Sequence, residues 1–196
     1  MKQGLLLTLF VVTLASIAGA GNEPAKVVVS LDERIGPMEI DKFALGQGGL
    51  SPEPMWDSRI AEIRALRPRI IRIFLQEYFD LLPEPGKHHF ETLDRSIDTI
   101  LKAGSKPLMC ICFKPRVLFP AIDQDIVEPN DYDAWEELIF SLVFHYRQRN
   151  AGIRYWEVAN EPDIGEDGGC PYRFKPESYI RYYQHTAAAI LRADPE

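Results

Sequence analysis

Short apolar segments of extended character alternate with single stripes of helical period along the chain, and no other feature restricts its possible folds so far. Phe43 to Gly46, Ile70 to Phe74, Pro107 to Phe113 and Ile153 to Val158 read as strands. Each is followed by one amphipathic stripe: Trp56, Ile60, Ile63 and Leu66; then Phe90, Leu93, Ile97, Ile100 and Leu101; then Tyr132 to Tyr146; and finally Tyr179 to Leu191. Arg67-Pro68 and Ala103-Gly104 stop the first two helices, Asn130-Asp131 opens the third, and Pro176 opens the fourth. Strands separated by single helices predict a parallel sheet, because a parallel connection needs a crossover and the helix supplies it.

A parallel sheet built this way is either doubly wound or part of a barrel. Nucleotide-binding doubly wound folds open a helix with Gly-x-Gly-x-x-Gly, and the glycine cluster Gly46-Gln47-Gly48-Gly49 lacks that spacing. Four βα units in about 150 residues are half of a TIM (β/α)8 barrel. The expected fold is therefore α/β: the amino-terminal half of such a barrel over residues 42–196, preceded by a short β segment over residues 21–41. That segment holds two extended pieces, Lys26 to Leu31 and Ile35 to Ile40, around Gly36-Pro37.

Residues 1–20 read as an address. Lys2 precedes an uncharged apolar run from Leu5 to Ile17, and Ala18-Gly19-Ala20 sets small residues at a cleavage site. The run is shorter than the roughly 18 residues that a membrane span wants, so export with cleavage is expected, to a secreted or periplasmic location with no lasting membrane span. About 176 of the 196 residues then remain, against roughly 250 for a complete barrel. A net charge of -7, from 22 basic and 29 acidic residues, argues against nucleic acid as a partner. In an oxidising compartment Cys112 and Cys170 could meet, while Cys110 and Cys112 share one strand face and cannot easily bridge each other. Three unbridged thiols are the other reading. No cofactor is expected: adjacent His88 and His89 point apart on an extended segment, and no third ligand stands at metal spacing. His145 and His185 lie in helices beside the apolar stripes.

The chemistry gathers after the fourth strand, in Tyr155-Trp156-Glu157-Val158-Ala159-Asn160-Glu161-Pro162-Asp163. This run leaves the carboxyl end of a strand, the edge where barrels place their active residues. Asn and Pro are also ordinary loop formers, so turn chemistry is the competing reading of Asn160 and Glu161. Alternation places Glu161 on the face of Ala159, Glu157 and Tyr155, so that two glutamates point inward. Arg72 interrupts the second strand on the face of Ile70 and Phe74. An inward arginine is costly unless a carboxylate pairs with it, and either Glu157 or a catalytic carboxylate could do so. Glu77, Asp80 and Asp163 are further loop acids, and Tyr78, Phe79, Phe113, Tyr172 and Phe174 could stack on sugar rings or simply pack under loops.

The Asn-Glu-Pro run resembles the acid/base motif of clan A glycoside hydrolases, most closely glycoside hydrolase family 39, the β-xylosidase and α-L-iduronidase family. Ile40-Asp41-Lys42-Phe43-Ala44-Leu45-Gly46, Ile70-Ile71-Arg72-Ile73 and Cys112-Phe113-Lys114-Pro115 share the resemblance, which runs from about residue 26 to 194. Ala159 departs from the tryptophan or glycine often found there. The resemblance implies a retaining hydrolase of O-glycosidic bonds acting on a carbohydrate. Glu161 would be the acid/base, Asn160 would hold the sugar 2-hydroxyl, and Arg72 would orient the nucleophile; Phe113, Tyr172 and Glu77 are the candidate substrate contacts. It also implies a nucleophilic glutamate on a seventh strand, so these 196 residues alone are expected to be inactive. A non-catalytic glycan-binding or inactive barrel is the alternative.

Overall fold

A computed structural model describes residues 26–30, 32–33, 36–37, 42–47, 51–54, 56–119, 128–164 and 174–195. The chain divides into two units, Met1–Pro37 and Met38–Glu196. In the first, residues 26–30 are exposed and carry no strand, so the extended piece expected there joins no sheet. The leader, the Ile35 to Ile40 piece in all but Gly36 and Pro37, and Cys170 with its possible bridge to Cys112 lie outside the described residues.

The second unit is a sheet backed by helices. Its elements run β1 (Leu45–Gln47), α1 (Ile60–Leu66), β2 (Ile70–Leu75), α2 (Glu91–Lys102), β3 (Lys106–Ile111), α3 (Tyr132–Gln148), β4 (Tyr155–Val158) and α4 (Pro176–Ala193). The boundaries follow local chemistry. Arg67 ends α1 in the left-handed region at φ 51° immediately before Pro68, which cannot continue the helix hydrogen bonding. The Asp131 side chain accepts the Ala134 N–H at the start of α3, and Pro176 takes the first turn of α4, where its missing N–H costs nothing. Strands β3 and β4 are shorter than their apolar runs: β3 stops at Ile111 rather than Phe113, and β4 begins at Tyr155 rather than Ile153.

The four strands are parallel and stand in sequential order β1-β2-β3-β4. Sequential order without a reversal matches a barrel wall and lacks the switch point of a doubly wound sheet. Four strands form an arc, and closure takes eight.

One face of this arc is dry. Ile71, Ile73 and Leu75 of β2, Met109 and Ile111 of β3, and Val158 of β4 are buried with Leu93, Ile97 and Ile100 of α2 and Leu138, Ile139, Leu142 and Val143 of α3. Trp135, fully buried, ties the layers together. Its ring centroid lies 5.4 Å from Phe113, 5.9 Å from Phe119 and 5.3 Å from Tyr182, and its indole N–H donates to Thr186 Oγ1 at 2.9 Å. Outside the apolar layer, ion pairs clamp the helices. Asp94 of α2 holds His145 of α3 and Arg149, the residue that caps it, at 2.9 and 2.8 Å, and Glu136 of α3 holds His185 and Arg192 of α4 at 2.7 and 2.9 Å.

Two predictions follow from this packing. Trp135→Ala removes the shared ring and should cost about 3–5 kcal/mol in urea unfolding, whereas Trp135→Phe keeps an aromatic contact and should cost less than half of that. The hydrogen bond from His185, and then that from Arg192, hold the Glu136 carboxyl below its ordinary value of 4.5. A lowered folded-state value means that the contribution is full above the ordinary value and is lost as pH falls through the lowered one. Glu136→Gln should therefore lower Tm at about pH 6 and converge on the parent toward about pH 3.

Candidate active site

The other face of the arc carries the polar residues. Alternation along β2 buries Ile71, Ile73 and Leu75 under the helices and turns Ile70, Arg72 and Phe74 the opposite way. The Arg72 guanidinium lies over the Phe74 ring, 4.2 Å from its centroid. In register Arg72 stands beside Leu108, whereas Glu157 stands beside Cys110, two residues further toward the carboxyl edge. Arg72 must therefore reach diagonally across β3, past two strand spacings of about 4.8 Å each. The residue beneath that path, Cys110, is small and fully buried, and its Sγ lies 3.4 Å from Nη2.

Of the partners open to Arg72, the structure gives it Glu157. Arg72 Nε donates to Glu157 Oε2 and Nη2 to Oε1, both at 2.6 Å, and Nη2 also donates to Asn160 Oδ1 at 2.8 Å. The two-pronged geometry makes these the stronger kind of charged hydrogen bond. Side-chain exposures of 26% and 36% leave the pair partly screened by solvent. The hydrogen bonds that Arg72 donates to Glu157 raise its pKa, so the cation is fixed at every working pH.

Glu161 is reached by a route that alternation did not describe. Strand β4 stops at Val158, and both Ala159 and Glu161 are left-handed, at φ 65° and 46°. The strand alternation that placed Glu161 on the Glu157 face thus stops three residues short of it. The turn is held from several sides: the Ala159 N–H donates to Ile111 O at 2.9 Å, Ile164 N–H to Glu161 O at 3.1 Å, and the Tyr179 hydroxyl of α4 to Val158 O at 3.0 Å. Left-handed backbone disfavours bulky and β-branched residues, which makes the small side chain of Ala159 intelligible. Glu161 itself is exposed, with Asn160 Nδ2 3.4 Å from its Oε2.

The remaining candidates are dispersed. Glu77 is exposed in the single turn Glu77–Phe79 after β2, and its Oε1 accepts the Lys114 N–H at 3.1 Å, joining the carboxyl ends of β2 and β3. A cavity of about 430 Å³ lies there, lined by Glu77, Asp80, Lys114 and Arg116 among others. Phe113 is not at the surface: it is 2% exposed, with its ring against Trp135, so it offers a sugar no open face. Phe79 and Phe174 are likewise buried, and Tyr172 lies outside the described residues. Asp80 and Asp163 are exposed. Among the described residues no three metal-ligating side chains converge. His88 stacks on Phe90 and burial lowers its pKa, while His89 contacts Asp80 O and Glu91, each at 3.3 Å. Sequence reasoning missed Tyr179, whose place in an apolar stripe hid its hydroxyl, and Cys110, whose small size on the inner face was the available signal.

Chemically, the carboxyl end of β4 presents the exposed Glu161 carboxylate, an amide beside it, and a neutralised arginine-glutamate pair beneath. A model of "Glycosyl hydrolases family 39" matches residues 78–196. The β-xylosidase of Geobacillus stearothermophilus is 29% identical over 119 residues, which are 55% of this chain and 23% of that protein. The β-xylosidase of Caldicellulosiruptor saccharolyticus is 30% identical over 117 residues, with the same coverage of 55% and 23%. The chain thus spans less than a quarter of the length of these relatives. Among solved structures, the GH39 enzyme from Xanthomonas axonopodis pv. citri superposes with a TM-score of 0.62 at 22% identity, over 79% of this chain and 34% of that one.

The arginine fork sets a test. Arg72→Met leaves Glu157 without its counter-charge and should lower unfolding stability by about 1–3 kcal/mol. Arg72→Lys should recover less than half of the loss, since a lysine cannot engage both carboxylate oxygens and Asn160 together. Urea titration of the three proteins decides it.

Proposed function

The chain belongs to glycosyl hydrolases family 39, and from that premise we propose that the full-length protein hydrolyses O-glycosidic bonds with retention, using Glu161 as general acid/base. The family carries the glycosidase class; the residue roles are our reading. The observation that supports it best is the exposed Glu161 at the carboxyl edge of β4, beside an Asn160 that Arg72 grips from below. That edge is where barrel enzymes assemble their sites from several strand ends.

In this reading a glycoside binds across the carboxyl edge with its bridging oxygen against Glu161. The protonated carboxyl gives its proton to the departing oxygen, a second carboxylate attacks the anomeric carbon, and the Glu161 carboxylate then takes a proton from the water that releases the sugar. Such a pair works at about 5 to 5.5 Å. Glu157 does not suit the second role, because both of its oxygens are already engaged by Arg72. We assign that role to a carboxylate on a later barrel strand, and Asn160 to the sugar 2-hydroxyl. β-Xylosides are the first substrates to try, given the relatives, and the leader-like residues 1–20 support action outside the cytoplasm.

The acid/base role has a distinctive kinetic signature. Glu161→Ala in the full-length protein should slow glycosides with poor leaving groups by about 100-fold or more, while activated aryl glycosides lose far less in the first step. Azide should restore turnover of the activated substrates by attacking the glycosyl-enzyme in place of water. Equal losses on both substrate types, without azide rescue, would sink the acid/base role of Glu161, whereas a full-length protein that binds glycosides and cleaves none would favour the non-catalytic barrel.

A further inference from the structure

We infer that Glu157 is a positioning residue: by way of Arg72 it dictates which way the Asn160 amide faces, and hence what the site offers to a sugar hydroxyl. This rests on the hydrolytic reading above and adds to it a residue that neither touches the scissile bond nor moves a proton.

A guanidinium has five N–H donors and no acceptor. The Asn160 atom 2.8 Å from Arg72 Nη2 is therefore the carbonyl Oδ1, and the Nδ2 group is turned the other way, toward Glu161 Oε2 at 3.4 Å. The amide orientation, ambiguous wherever both ends meet water, is here settled by its partner. On the side of Glu161, Asn160 consequently presents donors rather than an acceptor. A sugar hydroxyl arriving there must be recognised through its oxygen, and its own proton is directed elsewhere.

Arg72 can enforce this only while its own plane is fixed. Three acceptors crowd Nη2, namely Glu157 Oε1 at 2.6 Å, Asn160 Oδ1 at 2.8 Å and Cys110 Sγ at 3.4 Å. The second prong, Nε to Glu157 Oε2 at 2.6 Å, is what stops the group from turning about its long stem. The Phe74 ring beneath limits motion in one direction but not rotation in the plane. Without the Glu157 charge, the fork becomes a single contact and Arg72 follows solvent, so Asn160 loses the shorter of the two contacts, 2.8 Å to Arg72 against 3.4 Å to Glu161, that favour this orientation of its amide.

The experiment compares wild type and Glu157→Gln in the full-length protein on an aryl β-xyloside and on its 2-deoxy analogue, with thermal unfolding as a check on folding. Glu157→Gln should reduce kcat/KM on the 2-hydroxy substrate by up to about 100-fold and on the 2-deoxy analogue by less than about threefold. In an Asn160→Ala background the same substitution should add no further loss. Equal losses on the two substrates, or a full further loss in the Asn160→Ala background, would overturn the inference. Should Glu157→Gln not fold, Glu157→Asp, which withdraws the carboxylate by one methylene, serves in the same comparison. A readout without turnover completes the test: with 15N-asparagine labelling, the Asn160 side-chain amide resonances should shift on Glu157→Gln, and unchanged resonances would overturn the inference. Failure of wild type to cleave any glycoside would sink the hydrolytic reading, while the amide resonances still decide whether Glu157 sets the orientation.

Discussion

One guanidinium on the non-helical face of a parallel sheet organises the site. Taking Arg72 partly out of water is unfavourable unless anionic and polar oxygens replace the lost hydration, and Glu157 and Asn160 do so from the far side of β3. The compensation reaches across the sheet. It links β2 to β4 over the intervening strand, at right angles to the direction of the chain, and it fixes the last ordered turn of β4 just before the exposed glutamate. Part of the specificity of such a pair lies in its geometry: a fork of two short bonds tolerates one relative placement of the strands.

The opposite face can be so permissive of chemistry because it contains almost none. Its buried positions are aliphatic, filled against helices whose further contacts include an aromatic cluster around Trp135 and two carboxylate-centred clamps. The hydrophobic layer holds the sheet in place, and the polar face is then free to carry charge without having to contribute much to folding. Tyr179 connects the two: it belongs to the apolar stripe of α4, yet its hydroxyl ends on the carbonyl that closes β4.

Most of the fold was legible because its signals are local and periodic. Four strands and four helices appear where the apolar spacing put them, with Asp131, Pro176 and Arg67-Pro68 acting as boundaries. Strand ends were less readable. Ile153 and Phe113 continue an apolar run while the ladder has already stopped, since burial under helices asks for apolar residues whether or not a strand partner is present. For the site, the charge on β2 and the alternation of β4 were enough to suggest Glu157 as the partner of Arg72. Two features lay beyond sequence reading. The left-handed backbone at Ala159 and Glu161 is carried by residues that rarely adopt it, so no glycine announced the turn. The burial of Phe113 depends on the helix-borne Trp135, Phe119 and Tyr182 meeting over it, which is a tertiary outcome with no local mark.

The sequential strand order bears on how the protein comes to be folded. Each described strand pairs with the one synthesised just before it, through a crossover containing one helix, so among these four no pairing has to wait for a distant part of the chain. Loop closure is then about as cheap as a parallel sheet allows, and the wall can be laid down strand by strand as the polypeptide emerges from the ribosome. Until a following strand arrives, the newest one shows a row of bare amide and carbonyl groups. The turn after β4 that carries Asn160 and Glu161 is thus assembled at such an edge, where binding by a chaperone or misregistration of a single residue would have its largest effect.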